Sequence, residues 1–397
     1  MRRVALVAAL AAACHTGPPA PQPGSIDFTA AASLGFDSAG LAAVASYVAS
    51  QVDSAYPGAV VAVGRHGRLA LLAAVGRYGV DDPRPVDPAT IYDLASLTKV
   101  IGLTTASLLL ADEGKLDLEA PVHAYLPAFQ GPGKDRVTIR HLLTHSSGLP
   151  AWRPLFTDAA TRAAALALVD TTPLTVTPGD SFIYSDLGAI TLTQVVEHIA
   201  HEPLDSFLAR RVFEPLGMPS TRFLPPRGWR ARIAPTERDT VFRRRMMHGE
   251  VHDENTGRLE GVSGHAGLFS NAPDLAKFAG WLLAVRSGSV TPGGTVPTPR
   301  SETVVRFTTR QNLPPGSSRA LGWDTPSQPS SAGTRLSERA FGHTGFTGTS
   351  IWIDPEKDLF IILLTNRVHP TRANTRIFRV RPRVADLVVE ALVDRGP

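Results

Sequence analysis

Apolar residues recur along this chain with two different periods. At 38–53, opened by Asp37-Ser38, they follow helical spacing. Pro57-Gly58 then begin an apolar run at 59–63, and Arg65-His66-Gly67 turns the chain into a second run at 69–75. That pair predicts a hairpin at the first edge of a sheet. From about 80 to 290 helical patterns dominate, separated by Pro/Gly-rich joints, with buried runs at 91–110, 160–170 and 188–217. After a loose Pro-rich stretch at 290–318, strand patterns return at 340–343, 349–354 and 359–364. The last two are joined by a turn through Pro355-Glu356-Lys357-Asp358. An amphipathic helix at about 382–394 closes the chain, with Pro382 suited to its first turn. Strands at both ends of a helical middle predict an α+β fold whose single antiparallel sheet is completed late. The chain has no internal repeats.

Composition adds class and compartment. A chain of 397 residues can form one two-lobed domain or two domains, and 43% hydrophobic with 19% charged residues is ordinary for a globular protein. The net charge of +4 comes from scattered arginines, with no basic run interleaved with aromatics, which argues against nucleic acid as a partner. Phe242-Arg243-Arg244-Arg245, and later Arg379, Arg381 and Arg383, read as solvated or ion-paired surface. At the N-terminus Arg2-Arg3 precede an apolar stretch at 4–13 that is too short to span a membrane and reads as an export signal. Small residues lead to Cys14, the only cysteine, so no intrachain disulfide can form. The position of Cys14 resembles a bacterial lipoprotein processing site, with Ala11 departing from the usual larger residue. The expectation is a cell-envelope protein held to the membrane by an N-terminal lipid, or otherwise secreted. Residues 1–25 form signal and tether, and 26–397 the folded domain, with a sheet lobe from about 26–80 and 300–397 and a helical lobe from about 81–299.

Ser96-Leu97-Thr98-Lys99 carries the candidate chemistry. Residues three apart share a helix face, so Lys99 can reach the Ser96 hydroxyl. Serine needs a base to become a nucleophile, and lysine can be that base where burial or a neighbouring cation holds it neutral. This chain has five lysines among its 40 basic residues, so arginine is its default surface cation and a lysine inside an apolar run stands out. Tyr184-Ser185-Asp186 follows the turn-forming Pro178-Gly179-Asp180. Gly342-His343-Thr344-Gly345-Phe346 lies just before a strand pattern.

The order S-x-x-K, Y-S-D, H-T-G resembles the three-element signature of the serine β-lactamase-related family, which includes class C β-lactamases, D-Ala-D-Ala carboxypeptidases and esterases. The stretches His141 to Pro150 and Gly264-His265-Ala266-Gly267-Leu268-Phe269-Ser270 resemble it too, and the likeness covers roughly residues 30–395. It implies a β-lactamase/transpeptidase-like fold, with Ser96 as nucleophile, Lys99 as base and Tyr184 passing a proton to the leaving group. The backbone N–H groups of Ser96 and Phe346 would form the oxyanion hole, and Asp186, His343, Thr344 and Gly345 would contact substrate. The residue-level alternatives are helix caps for Ser96 and Asp186, a half-buried aromatic for Tyr184 and core packing for the Phe346 side chain. Two departures matter. Asp186 stands where the family more often has Asn, and an adjacent anion favours the lysine ammonium. His343 replaces a lysine, so a fixed cation becomes a mostly neutral group. The spacings of His141 and His145, and of His248, Glu250, His252, Asp253 and His265, do not make a metal site, and no cofactor is implied. His252 or His265 could line the cleft. The resemblance implies an exported serine hydrolase acting on a small molecule or peptide: a peptidoglycan stem peptide, a β-lactam or an ester. A D-alanyl-D-alanine carboxypeptidase leads, followed by an esterase and a weak β-lactamase. The rival from another class is a non-catalytic β-lactam-binding envelope sensor.

Overall fold

The computed structural model describes residues 29–290 and 294–393. The export segment and Cys14 lie outside the described residues. Strands β1 (Gly58–Arg65) and β2 (Arg68–Gly79) form the expected hairpin. Its two-residue turn places His66 at φ 54° and Gly67 at φ 69°, the left-handed pair whose twist suits adjacent antiparallel strands. Strand β3 is Asp82–Pro85, and β4 (Tyr92–Asp93) pairs with β5 (Phe269–Ser270) in a separate ribbon. Near the C-terminus come β6 (Phe341–Thr344), β7 (Ser350–Asp354) and β8 (Leu359–Thr365). The main sheet has six antiparallel strands in the order β3-β2-β1-β8-β7-β6. The two ends of the chain therefore meet at its centre.

Both faces of that centre are buried, which is why β1 and β8 read as continuous apolar runs rather than alternating ones. Ala59, Val61, Val63, Leu359, Ile361 and Leu363 face a core shared with the helices Ser38–Ser50 and Ile377–Glu390. Val60, Ala62, Phe360, Ile362 and Leu364 face the larger core of the helical lobe.

The C-terminal helix starts earlier than its sequence suggests. It runs from Ile377 to Glu390 and carries Pro382 inside. Ile377, Val380, Val384, Ala385 and Val388 make one buried stripe on it, and that packing offsets the hydrogen bond Pro382 cannot donate. The register also corrects one residue: Arg379 and Arg383 are exposed, but Arg381 is 4% exposed and points into the protein. The middle of the chain is less helical than its apolar pattern predicts. Between 219 and 268 regular structure is limited to Arg227–Arg232 and Glu254–Arg258, in a stretch rich in Pro, Gly and Arg. The principal helices there are Thr105–Asp112, Arg162–Thr171, Asp186–Ala200 and Ala272–Arg286.

Candidate active site

Ser96 sits on a strained corner between β4 and a helix. Ala95 before it has φ 46°, a left-handed conformation that costs a non-glycine residue about 1–3 kcal/mol. The buried Asp93 carboxylate holds the corner, accepting from the backbone N–H groups of Ala95 (2.8 Å) and His252 (2.7 Å). The Ser96 side chain caps nothing and remains partly exposed. After it the chain makes a wide π-turn, Lys99–Thr104, before Thr105–Asp112 continues as α-helix.

Lys99 is 3% exposed. Its Nζ donates to Ser96 Oγ (3.0 Å) and to the His265 carbonyl (3.1 Å), and lies 2.7 Å from Asp186 Oδ1. Two N–H groups thus meet hydrogen-bond acceptors, and the Asp186 carboxylate lies in ion-pair contact beside them, surroundings that suit an ammonium. Burial pulls the Lys99 pKa down, but the Asp186 carboxylate, with Tyr184, pulls it further up, and the net shift is upward. A neutral amine was one route to a base; the carboxylate at 2.7 Å favours the charged form instead.

Tyr184 places its ring 4.8 Å from Lys99 Nζ. Its Oη is buried and has no partner. The loop is held from below by His145 and Ala151: Ile183 N–H donates to the His145 carbonyl (2.9 Å), Ser185 N–H to His145 Nδ1 (3.1 Å) and Asp186 N–H to the Ala151 carbonyl (2.8 Å). The helix cap is Ser185, whose Oγ accepts from Gly188 N–H at 3.0 Å. Asp186 is thereby freed for Lys99.

The third element lies on the edge strand β6. His343 Nδ1–H donates to the Thr344 carbonyl (2.8 Å), which fixes the tautomer and leaves Nε2 as a buried, unpartnered acceptor. Burial first, then the charges of Arg319 and Lys99, push its pKa well below the usual histidine value, so the ring is neutral. Beyond it the turn is bolted to the nucleophile corner. Thr347 Oγ1 donates to the Asp93 carbonyl (2.7 Å) and Thr349 Oγ1 to that of Leu94 (2.9 Å). Gly345 is required here, because a Cβ would overlap Leu94 O and Thr349 Oγ1. Arg381 Nη2 donates to the carbonyls of Gly345 (2.6 Å) and Thr349 (2.8 Å), and Arg367 Nε to that of Phe346 (2.7 Å). The Phe346 side chain is not core. It is 46% exposed, stacked 5.7 Å from the His252 ring with the Arg367 guanidinium 4.3 Å from its centroid.

Ser96, Tyr184, His343, Thr344, Gly345 and Phe346 line a cleft of ≈ 270 Å³, joined by Arg319, Arg367 and Arg381. Lys99 and Asp186 lie behind it. Sequence reasoning missed the three arginines. Arg381 reads as helix surface, and nothing near Arg319 or Arg367 in the chain signals a site. The remaining histidines have other partners: His141 Nδ1 meets Thr138, His248 Nε2 the Ile233 carbonyl, His252 Nε2 Glu237, and His265 Nε2 Asp253. His252 borders the cleft through Phe346, while His265 reaches Lys99 by its carbonyl and not its ring. A larger cavity of ≈ 870 Å³, between the segments around Arg227 and Arg245, contains none of the three motifs.

Comparison with known proteins bears on the family and the fold. A "Putative D-alanyl-D-alanine carboxypeptidase" of Salmonella schwarzengrund is 33% identical over 381 residues, spanning 87% of this chain and 86% of that protein. Among solved structures, a penicillin-binding protein homologue from Caulobacter crescentus superposes with TM-score 0.71 at 20% identity, covering 89% of this chain and 98% of that one. The hydrolase EstCE1, described as having promiscuous acyltransferase activity, gives 0.70 at 23% identity over 88% and 98%. A class C β-lactamase from Rhodobacter sphaeroides gives 0.66 at 22% identity over 89% and 99%. Those identities speak for the fold alone. The Beta-lactamase family model matches residues 43–385, and with the carboxypeptidase-named relative it shows that the chain belongs to the β-lactamase family of serine hydrolases.

Proposed function

We propose that the protein is a D-alanyl-D-alanine carboxypeptidase-type hydrolase working through an acyl-enzyme on Ser96. The observation that carries this reading is Ser96 Oγ 3.0 Å from a buried Lys99 whose ammonium is held by Asp186. Ser96 Oγ adds to the substrate carbonyl, and the Ser96 and Phe346 backbone N–H groups receive the developing oxyanion. A donor of that kind contributes about 10²–10³ in kcat. With Lys99 donating to Oγ, the Ser96 proton leaves toward Tyr184 Oη, which passes its own proton to the departing amine. Tyr184 ends neutral, as it began. Water then attacks the ester along the reverse path. The carboxypeptidase-named relative supports the substrate class, and residues 1–25 support an envelope address with Cys14 as lipid anchor.

The test is intact-protein mass spectrometry after incubation with benzylpenicillin, with hydrolysed penicillin read in the same run. A penicilloyl adduct that Ser96→Ala abolishes is the expected result. An adduct of equal size on Ser96→Ala would remove Ser96 as nucleophile. An esterase is the second reading, favoured by exposed Phe346 (46%) and Phe378 (60%) at the cleft and by the neutral His343. Turnover of p-nitrophenyl esters without any penicilloyl adduct would select it.

A further inference from the structure

We infer that His252 is a positioning residue for the oxyanion hole, holding the Ser96 corner through its backbone and the Phe346 turn through its ring. This rests on the reading of Ser96 as the acylated nucleophile and adds to it what keeps the two receiving N–H groups at a fixed separation. Those groups belong to segments far apart in the chain, one at a left-handed corner and the other on an exposed turn. The corner hangs on the buried Asp93 carboxylate, whose Oδ1 accepts from Ala95 N–H (2.8 Å) and whose Oδ2 accepts from His252 N–H (2.7 Å). The backbone at residue 252 is therefore the corner's far anchor. The turn has no core to hold its aromatic side chain, since Phe346 is 46% exposed. What that ring rests on is the His252 imidazole, stacked at 5.7 Å with 30° between the planes, and the Arg367 guanidinium at 4.3 Å. One residue thus touches both sides of the hole.

His252 is itself fixed. Burial raises the pKa of its partner Glu237, but the bonds from His252 and Arg372 outweigh that and the net shift is downward, so Glu237 is a carboxylate. A carboxylate only accepts. His252 Nε2, 2.9 Å from Glu237 Oε2, therefore carries a proton and donates it to that bond. Arg372 grips the same carboxylate with its backbone N–H (2.7 Å) and its Nε (2.6 Å), and reaches Glu254 with Nη2 (2.6 Å). On the backbone, Arg243 donates to the carbonyls of Val251 (2.8 Å) and His252, and its Nε pairs with Asp239 (2.8 Å). Ring, amide and carbonyl of residue 252 are all engaged. Arg367 closes the circuit, donating to the carbonyls of Phe346 (2.7 Å) and Arg372 (2.9 Å). His252 is not among the residues that line the Ser96 cleft, so it acts through Asp93 and Phe346 and not on the substrate. Such bracing matters because a misplacement of about 1 Å at a reacting centre can cost about 10²-fold in rate.

The test pairs turnover of p-nitrophenyl butyrate with inhibition by phenylboronic acid, which adds to Ser96 Oγ as a tetrahedral boronate with one oxygen in the hole. His252→Ala should lower kcat by about tenfold to a hundredfold and leave KM within about twofold. It should also raise the boronate Ki in step with the fall in kcat, as expected of an interaction made only in the transition state. His252→Phe, which keeps a ring against Phe346, should recover most of the lost kcat. An Ala variant of native circular dichroism overturns the inference if its kcat stays within about threefold of the parent, if its loss lies in KM, or if its boronate Ki does not move. So does a Phe variant no better than Ala. If His252→Ala does not fold, Glu237→Gln decides: it loosens the tether of the ring and should shift kcat and Ki together by about threefold, whereas a merely structural His252 would leave both untouched. The acyl-enzyme reading has its own control in Ser96→Ala. Undiminished ester turnover there, or a parent inert to both ester and boronate, removes that reading and this inference with it; failure of the inference alone leaves Ser96→Ala inactive.

Discussion

Replacing Asp186 by Asn removes one charge and keeps the side chain's shape. Oδ1 lies 2.7 Å from Lys99 Nζ, where two unit charges attract by about 6 kcal/mol at an effective dielectric near 20. The burial of Lys99 opposes part of this. If half of it remains, loss of the carboxylate lowers the Lys99 titration by about two pH units, at about 1.4 kcal/mol per unit. The Lys99 pKa is raised on folding, so its contribution to stability is complete below the unfolded lysine value and is lost as pH rises through the folded one. At pH 7 Asp186→Asn should therefore cost about 3 kcal/mol, and the deficit should shrink only above about pH 10. The kinetic consequence decides the working form of Lys99. In urea unfolding the variant should be less stable, and in kcat/KM profiles from pH 6 to 9.5 it should show no new alkaline limb, because a fall of about two pH units from the raised value leaves Lys99 charged over that range. A variant that is faster at neutral pH, with its acid limb moved downward, would refute the ammonium mechanism and make the free amine the base.

Gly345→Ala should reduce kcat by about a hundredfold or more with circular dichroism unchanged, because its Cβ drives Phe346 away from the Leu94 carbonyl; retention of a tenth of the activity would contradict this. Ile361→Ala empties a site 4% exposed on the central strand β8 and should cost about 2–5 kcal/mol, read as a lower urea midpoint. Asp53→Asn removes the charge of a surface pair with Arg77 (2.7 Å), in which Asp53 is 61% exposed, while keeping a side chain that tolerates the φ of 65° there, and should change stability by less than about 0.5 kcal/mol. A larger loss would mean the pair belongs to an ion network.

Local signals were readable where one element carried them. The two-residue turn at His66-Gly67, the apolar runs of β1, β7 and β8, and the three motifs could all be located from the chain. Elements whose limits depend on distant partners could not. Pro382 looks like a helix start until Ile377 and Val380 find the N-terminal helix to pack on. Arg381 looks like surface until that earlier start rotates it under the turn at Gly345. The charge state of Lys99 was legible as a conflict between burial and Asp186, and only the distance of 2.7 Å resolved it. Arg319 had no signal at all, since its position depends on two bridges that link it through Asp324 to Gly342.

The pairing of β1 with β8 joins residue 59 to residue 365. During synthesis, β1 therefore waits for more than three-quarters of the chain before its second neighbour exists. Until then its free edge is a row of unpaired amides and carbonyls, the surface on which strands of other molecules assemble. The same delay governs chemistry. Ser96 is made early, but the Phe346 amide, and the threonines that bolt it to the serine's corner, arrive near the end. A truncated product of this gene would be inert as a hydrolase and hazardous as an aggregating strand, whereas completing the last fifty or so residues cures both defects at one stroke.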